Sequence, residues 1–140
     1  MSPEPVLIAG KWRESEKTGT FQAANPATGE FLPPLYPVSS WADCEAALNS
    51  AHAAFLEMLS MPGEKIADFL EAFAVKIEER SDALVELAHL ETALPKTPRL
   101  AGAELPRTTS QLRQAAAAAW SGSWRNPVID TTNNIRACFG

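Results

Sequence analysis

The pattern of apolar and polar positions divides the chain into a β-rich start and a helical middle. Residues 6–12 and 18–24 are short segments of β character, with the polar run 13–17 between them and Gly19 near the start of the second. Residues 31–38 follow with three prolines, each of which removes a backbone donor and so favours an edge strand or an extended connector. Residues 6–38 therefore predict a β-hairpin followed by an extended segment.

A turn is predicted at 25–30, where the sequence reads Asn-Pro-Ala-Thr-Gly-Glu. Pro26 fixes its own φ and biases Asn25 toward an extended conformation, while Gly29 can take the positive φ that closes a tight turn. The turn is expected to join an extended segment ending at Ala24 to another that starts at Phe31.

From residue 40 to residue 122 the apolar period becomes helical. Ser40 is the predicted N-cap of a first helix that reaches about residue 59, and Asp43 is expected to complete a capping box. Cys44 falls on the apolar stripe of this helix, together with Leu48 and Phe55. Since cysteine is among the most frequently buried residue types, Cys44 is expected to be packed inside.

Two further helices follow. Ser60 is a candidate cap and Pro62 is placed near the start of the second helix, which reaches about residue 79. The third helix restarts at Ser81 and is stopped by Pro95. The predicted apolar stripe of the second helix consists of Ile66, Phe69, Leu70, Phe73 and Ile77.

The last helical region begins at residues 97–98 and carries an interior proline, Pro106. Because an interior proline removes one backbone hydrogen bond, this region is expected to bend at 103–106 or to form two pieces, with Gly122 as its stop. Residues 123–140 form a tail with one or two possible short strands. The predicted fold is a single partial domain over 1–140, mostly α with a short β-hairpin and strand elements.

Composition narrows the function classes. A chain of 140 residues with 46% hydrophobic and 21% charged residues is ordinary for a globular domain. Its net charge of −5 and scattered basic residues argue against a nucleic-acid partner. No apolar run is long enough for a membrane span and no leader segment is recognisable, so a cytoplasmic location without membrane attachment is expected.

Candidate nucleophiles and metal ligands are few. Cys44 and Cys138 are far apart and lack metal-ligand spacing, and neither has a convincing context for thiol activation, so both are interpreted as free thiols without a catalytic role. His52 and His89 lie on different predicted helices and have no partner at ligand spacing. We therefore expect no catalytic residue and no metal site in this chain.

The remaining polar groups are interpreted mainly as solvated helix faces. Two pairs of carboxylates, Glu78 with Glu79 and Asp68 with Glu71, lie beside basic residues of the same predicted helix. This pattern is typical of i,i+3 and i,i+4 ion pairs on a solvated face. No glycine-rich loop stands between a strand and a helix, so no cofactor-binding residue is assigned.

One polar cluster, Arg107, Gln111 and Arg113, follows the predicted kink in the last helix. Arg107 and Gln111 are one turn apart on one face, and a planar guanidinium beside an amide suits a carboxylate. The alternative interpretation is an exposed, solvated face with no ligand.

Several of these segments together resemble the aldehyde dehydrogenase superfamily over about residues 7–135. The turn at 25–30 is similar to the family's Asn-Pro-x-Thr-Gly-Glu turn, and 91–95 to its Glu-Thr-Gly-Lys-Pro turn, with Ala93 in place of the usual glycine. The sequences of residues 91–95 and 107–113 are most similar to those of α-ketoglutaric semialdehyde (2,5-dioxovalerate) dehydrogenases. Other matching segments are 8–12, 81–88 and 104–107.

The resemblance implies an N-terminal portion of the α/β aldehyde dehydrogenase fold, without the cofactor-binding sheet and the catalytic domain. In that family the kinked helix borders the substrate tunnel, which would place Arg107 and Gln111 as tunnel residues. The family oxidises aldehydes with NAD or NADP, through a cysteine and a glutamate that occur beyond the segment matched here. No cofactor is expected to bind this chain alone.

The sequence thus predicts an N-terminal fragment of an NAD(P)-dependent aldehyde dehydrogenase that acts on a small aldehyde or semialdehyde. The fragment, interpreted as a truncated or partial gene product, is expected to be inactive by itself. The alternative is a free-standing helical interaction or dimerisation module without catalysis. In both cases uncovered apolar helix faces are expected, with self-association as a consequence.

Overall fold

The computed structural model describes residues 2–122 and 128–137. The chain divides into two compact units, and the described residues of each lie within the ranges Met1–Ser60 and Ala88–Ala93 for one and Met61–Leu87 and Leu94–Gly140 for the other. The predicted fold, mostly helical with short strands, is confirmed. In chain order the elements are β1 (Val6–Ile8), β2 (Lys11–Arg13), β3 (Lys17–Phe21), β4 (Tyr36–Ser39), α1 (Trp41–Met58), α2 (Gly63–Glu79), α3 (Ser81–Thr92), a π-helical segment (Lys96–Glu104), α4 (Leu105–Ser121), β5 (Val128–Asp130) and β6 (Ile135–Ala137).

The first two strands form the predicted hairpin. β1 and β2 pair antiparallel, with Val6 opposite Arg13. Ala9 and Gly10 occupy the connection with φ angles of 53° and 74°. Positive φ at both central residues is the requirement of the tight turn that matches the twist of paired strands.

The extended stretch after the predicted turn ends in a paired strand. β4 pairs antiparallel with β3, and the rings of Phe21 and Tyr36 lie 5.5 Å apart between their centroids. Pro37 lies opposite Thr20 in this two-stranded sheet, where both strands are edges and a missing backbone donor is tolerated.

The turn at 25–30 closes as the sequence predicts. The backbone N–H of Asn25 donates to the carbonyl of Glu30 at 2.8 Å, and that of Gly29 donates to the carbonyl of Asn25 at 2.7 Å. Gly29 has a φ of 76°, and Ala24 pairs with Phe31 in an isolated bridge on either side of the turn.

The start of α1 is capped by Ser40, whose Oγ accepts from the backbone N–H of Asp43 at 3.2 Å. The second half of the predicted capping box is wrong, because the backbone N–H of Ser40 donates instead to the carbonyl of Glu16 at 2.7 Å. The Asp43 carboxylate accepts from the Ser15 hydroxyl and the Glu16 backbone N–H, each at 2.8 Å, and pairs with Arg13 at 2.5 Å. Asp43 thereby ties the first turn of α1 to the segment between β2 and β3.

The apolar stripe of α1 is exposed among the described residues. Leu48 and Phe55 are 62% and 54% exposed, and Cys44 is exposed as well. The prediction that Cys44 is buried is therefore wrong. One residue turns a helix by about 100°, so directing Asp43 toward the strands directs Cys44 away from them.

α2 and α4 pack together through small residues. Ala74 is completely buried, and Ala67 and Ala116 are 7% exposed. A Cβ added to Gly63 would lie 2.2 Å from the carbonyl oxygen of Ala119. The two backbones therefore approach each other where side chains are shortest.

The predicted stripe of α2 is only partly correct. Ile66, Leu70 and Ile77 are half-buried as expected. Phe69 and Phe73 are 62% and 50% exposed and stack on each other with 6.3 Å between ring centroids. The alanines occupy the contact with α4, so these two large rings lie outside it.

The start of α2 also differs from the prediction. Pro62 takes the N-cap position and provides no side-chain hydrogen bond. Ser60 is not a cap, because its hydroxyl donates to the carbonyl of Glu57 at 3.0 Å and so closes the end of α1 instead.

α3 ends at a residue with a left-handed backbone conformation. Ala93 has a φ of 58°, and its N–H donates to the carbonyl of His89 at 2.8 Å. This is the position at which helices commonly end in glycine, because a Cβ is disfavoured at positive φ.

Replacing Ala93 with glycine is expected to stabilise the chain by about 1 kcal/mol, since the left-handed conformation costs a non-glycine residue about that much. Urea unfolding followed by circular dichroism measures the effect. Ala83→Gly, at an exposed position within α3, is the control and should have the opposite sign. A loss of stability in Ala93→Gly would contradict the strain argument.

The last helical region stays helical in backbone conformation at Glu104 and Leu105, and changes there from π-helical to α-helical hydrogen bonding, so the predicted separation into two pieces is not observed at this junction. In the π-helical segment the N–H of Leu100 donates to the carbonyl of Pro95, and the N–H of Leu105 donates to the carbonyl of Leu100. Pro106 lies in the first turn of α4, where its missing N–H costs least. Gly122 ends α4 with a φ of 60°, as predicted.

The strands predicted for the tail are present within 128–137. β5 and β6 form an antiparallel pair in which Val128 lies opposite Ala137. Among the helices that the structure describes, none combines the length and apolar character needed to cross a bilayer.

Candidate functional site

The candidate site lies on one side of α4. Thr109 and Ala116, two turns apart, are 3% and 7% exposed and mark the buried side of the helix. Arg107 lies two residues before Thr109, and Gln111 lies two residues after it. Two residues correspond to a rotation of about 200° around the helix axis, so both side chains start nearly opposite to Thr109. Both are exposed, and they stand one turn apart on the side opposite the buried stripe.

Neither side chain is engaged elsewhere in the part of the chain that the structure describes. No hydrogen bond or ion pair joins Arg107 or Gln111 to another described residue, whereas Arg99 pairs with Glu104 at 2.5 Å. The guanidinium fork and the amide of this pair therefore keep their donors available. A carboxylate can accept two parallel hydrogen bonds from such a fork and a third from an amide N–H.

Arg113, the third member of the predicted cluster, does not belong to this face. Its Nε donates to Glu71 Oε1 at 2.8 Å, and its Nη1 and Nη2 donate to the two oxygens of Glu78 at 2.6 and 2.9 Å. Arg113 therefore joins α4 to α2. We call the three residues Arg113, Glu71 and Glu78 the α2–α4 clamp.

The clamp corrects the interpretation of the α2 carboxylates as residues paired along their own helix. Glu79 follows the predicted pattern, with Lys76 at 2.6 Å, but Glu71 and Glu78 bind the arginine of α4. Hydrogen bonds from Arg113 lower the pKa of Glu78 to about 2, and those carboxylates raise the pKa of Arg113.

A sequence signal for the clamp exists but is easy to miss. Arg113 lies four residues after Thr109 and three before Ala116, on the buried stripe of α4. A charged residue on such a stripe needs a partner of opposite charge. The partners are separated from it by more than thirty positions and follow only from the packing of α2 on α4.

An open groove of about 570 Å³ runs along the clamp side of α4. Arg107 and Gln111 do not line it. The lining residues are Glu78, Pro106, Thr109, Ser110, Arg113, Gln114 and Ala117.

The structure brings no nucleophile or metal ligands together within 2–122 and 128–137. Cys44 is exposed on α1, and Cys138 lies outside the described residues. His52 and His89 lie on α1 and α3, respectively. The described residues contain no group of three or more histidine, cysteine, aspartate or glutamate side chains that could hold a metal ion.

The described residues do not fit a dinucleotide cofactor. Each described sheet has two antiparallel strands, whereas dinucleotide sites use parallel strands with a glycine-rich turn before a helix. Where β4 leads directly into α1, the helix start is occupied by the Ser40 cap and by the carboxylate of Asp43, which disfavours a phosphate there.

Comparison with known proteins gives a consistent family match. The sequence profile of the aldehyde dehydrogenase family matches residues 12–136. Alpha-ketoglutaric semialdehyde dehydrogenase 2 of Azospirillum brasilense is 37% identical over 131 residues, covering 93% of this chain and 25% of that protein. Succinate-semialdehyde dehydrogenase [NADP(+)] 2 of Schizosaccharomyces pombe is 33% identical over 103 residues, covering 74% of this chain and 20% of that protein.

Solved structures show the same fold. An NAD-dependent benzaldehyde dehydrogenase from Corynebacterium glutamicum superposes with a TM-score of 0.78 at 21% identity, over 93% of this chain and 27% of that one. The chain thus spans about a quarter of the length of the proteins that it matches.

Proposed function

Because the chain belongs to the aldehyde dehydrogenase family, we propose that it serves in the NAD(P)-dependent oxidation of a carboxylate-bearing semialdehyde to the corresponding acid. Its own part in that reaction is to bind the substrate carboxylate through Arg107 and Gln111. No described residue is assigned to the bond-making steps or to the cofactor. A cytoplasmic location belongs to the same proposal.

One observation carries the substrate assignment. Arg107 and Gln111 present free donors one turn apart on the exposed face of α4, and no described carboxylate neutralises Arg107. Relatives support the substrate class, since two of them are named for semialdehydes of keto or dicarboxylic acids. The Schizosaccharomyces pombe relative is named for NADP(+), and the benzaldehyde dehydrogenase is named for NAD. The proposal therefore extends to either cofactor.

The test is a chimera in which this chain replaces the matching quarter of the Azospirillum enzyme. Arg107→Met is expected to lower kcat/KM for α-ketoglutaric semialdehyde about 10- to 100-fold more than for pentanal, because a charge-assisted hydrogen-bonded pair is lost. Steady-state kinetics with both aldehydes measure the difference.

Two matched variants serve as controls. Arg80→Met removes the same charge from an exposed position at the end of α2 and should leave the ratio of the two kcat/KM values unchanged. Arg107→Lys keeps the charge but loses the fork, so it should fall between the parent and Arg107→Met. Equal losses with the acidic and the neutral aldehyde in Arg107→Met would reject the carboxylate assignment.

A second candidate function is an interaction or dimerisation module without catalysis. The exposed apolar stripe of α1, with Leu48 and Phe55, supports it, because apolar patches of this kind are typical of interaction surfaces. A folded but inactive chimera would favour this candidate over the dehydrogenase.

A further inference from the structure

The contact between α2 and α4 contains two kinds of interaction. The residues of these two helices that are most buried or most closely approached are small, namely Gly63, Ala67, Ala74 and Ala116. Short side chains allow the backbones to approach, but they provide few protrusions that interlock, so they resist rotation of one helix against the other only weakly.

The α2–α4 clamp supplies the directional part of the contact. Glu71 and Glu78 are seven residues apart, two turns along the same face of α2, and both accept from one guanidinium. Three N–H groups of a rigid planar fork are engaged at 2.6 to 2.9 Å. Such a bidentate geometry constrains the direction from which the arginine approaches as well as its distance.

From these contacts we propose that Arg113 is a positioning residue: the clamp sets the rotation of α4 about its own axis and thereby directs Arg107 and Gln111 away from α2. The carboxylate-binding role of those two residues is the proposed function on which this inference rests. Arg113 itself is not assigned to the substrate, because three of its five N–H donors bind Glu71 and Glu78.

The rotation of α4 can be measured in the 140-residue chain without any substrate. With both native cysteines changed to serine, spin labels are attached at Asp68→Cys on α2 and Gln111→Cys on α4, two exposed positions. Pulsed EPR then gives the distance distribution between the labels. Glu78→Gln is expected to shift or broaden this distribution by about 5 Å, half of the diameter of a helix, while the circular dichroism of the helices is retained.

Glu79→Gln is the matched control, because it neutralises the adjacent carboxylate, which pairs within α2. It should leave the distances unchanged. Arg113→Met should reproduce or exceed the effect of Glu78→Gln, which replaces one of two accepting oxygens by an NH2 group. Glu71→Gln should have a smaller effect, because the amide oxygen can still accept the single hydrogen bond from Arg113 Nε.

The proposal is overturned if Glu78→Gln and Glu79→Gln give the same distribution, or if all clamp variants lose helical circular dichroism, since the clamp would then maintain folding as a whole. The two tests fail independently. Unchanged distances leave the kinetic test of Arg107 intact, and equal losses with both aldehydes leave the orientation of α4 intact.

Discussion

Replacing Gly63 with alanine is expected to lower the free energy of unfolding by about 3 kcal/mol, the upper end of the usual cost of overpacking. The new Cβ would lie 2.2 Å from the carbonyl oxygen of Ala119 and 3.2 Å from its carbon. Both are backbone atoms of α4 and cannot move aside as a flexible side chain can. α2 and α4 must therefore separate, which opens the contact around the buried Ala67 and Ala116.

Gly102→Ala is the control for this substitution. A Cβ at Gly102 would have Pro98 Cβ at 3.8 Å as its nearest neighbour, an ordinary contact, so stability should stay the same or rise slightly as the unfolded chain loses freedom. Urea unfolding by circular dichroism gives both values. Similar stabilities for the two variants would mean that α2 and α4 do not approach as closely as described.

Asp43→Ala is expected to have the second largest effect. Asp43 is 5% exposed, and its carboxylate accepts from three donors, the guanidinium of Arg13, the hydroxyl of Ser15 and the backbone N–H of Glu16. Removing it leaves the guanidinium of Arg13 and the backbone N–H of Glu16 without this acceptor in a partly buried place, where an unmade hydrogen bond is costly. The Ser15 hydroxyl can still donate to the Ser39 hydroxyl at 2.9 Å. The loss of stability should exceed that of Arg13→Met or Ser15→Ala alone, because each of those removes only one of the three donors to the Asp43 carboxylate.

The pH dependence of stability gives an independent measurement. The pKa of Asp43 is lowered below its usual 3.8, first by the hydrogen bond from the Ser15 hydroxyl. The backbone hydrogen bond from Glu16 and the positive charge of Arg13 lower it further. The stabilisation is therefore complete above about pH 4 and is lost as the pH falls through the lowered pKa. Asp43→Ala should lack this component, whereas the exposed Asp68→Ala should keep it.

Local signals in the sequence predict most of the elements. The turn at 25–30, the Ser40 cap and the Gly122 stop each depend on residues that act within a few positions of themselves, and all three are observed. The errors concern which side of a helix is covered. The helical spacing of apolar residues places Cys44 and Phe73 on buried stripes, but burial depends on packing partners that periodicity does not identify.

The candidate site shows the same limit. The spacing of Arg107 and Gln111 predicts a shared face, and both lie on one exposed face of α4. Arg113 is only two residues beyond Gln111, yet it faces α2. Its partners Glu71 and Glu78 could be identified only once the two helices were packed together.

The charges of the α2–α4 clamp have a consequence for enzymology. With the pKa of Glu78 near 2 and that of Arg113 raised, this ion pair stays charged on both sides from mildly acidic to alkaline solution. Its contribution weakens only as the pH falls from about 4.5 toward 2. A pH–rate profile recorded near neutrality would therefore report the titration of other groups, while the orientation of α4 stays constant across its whole range.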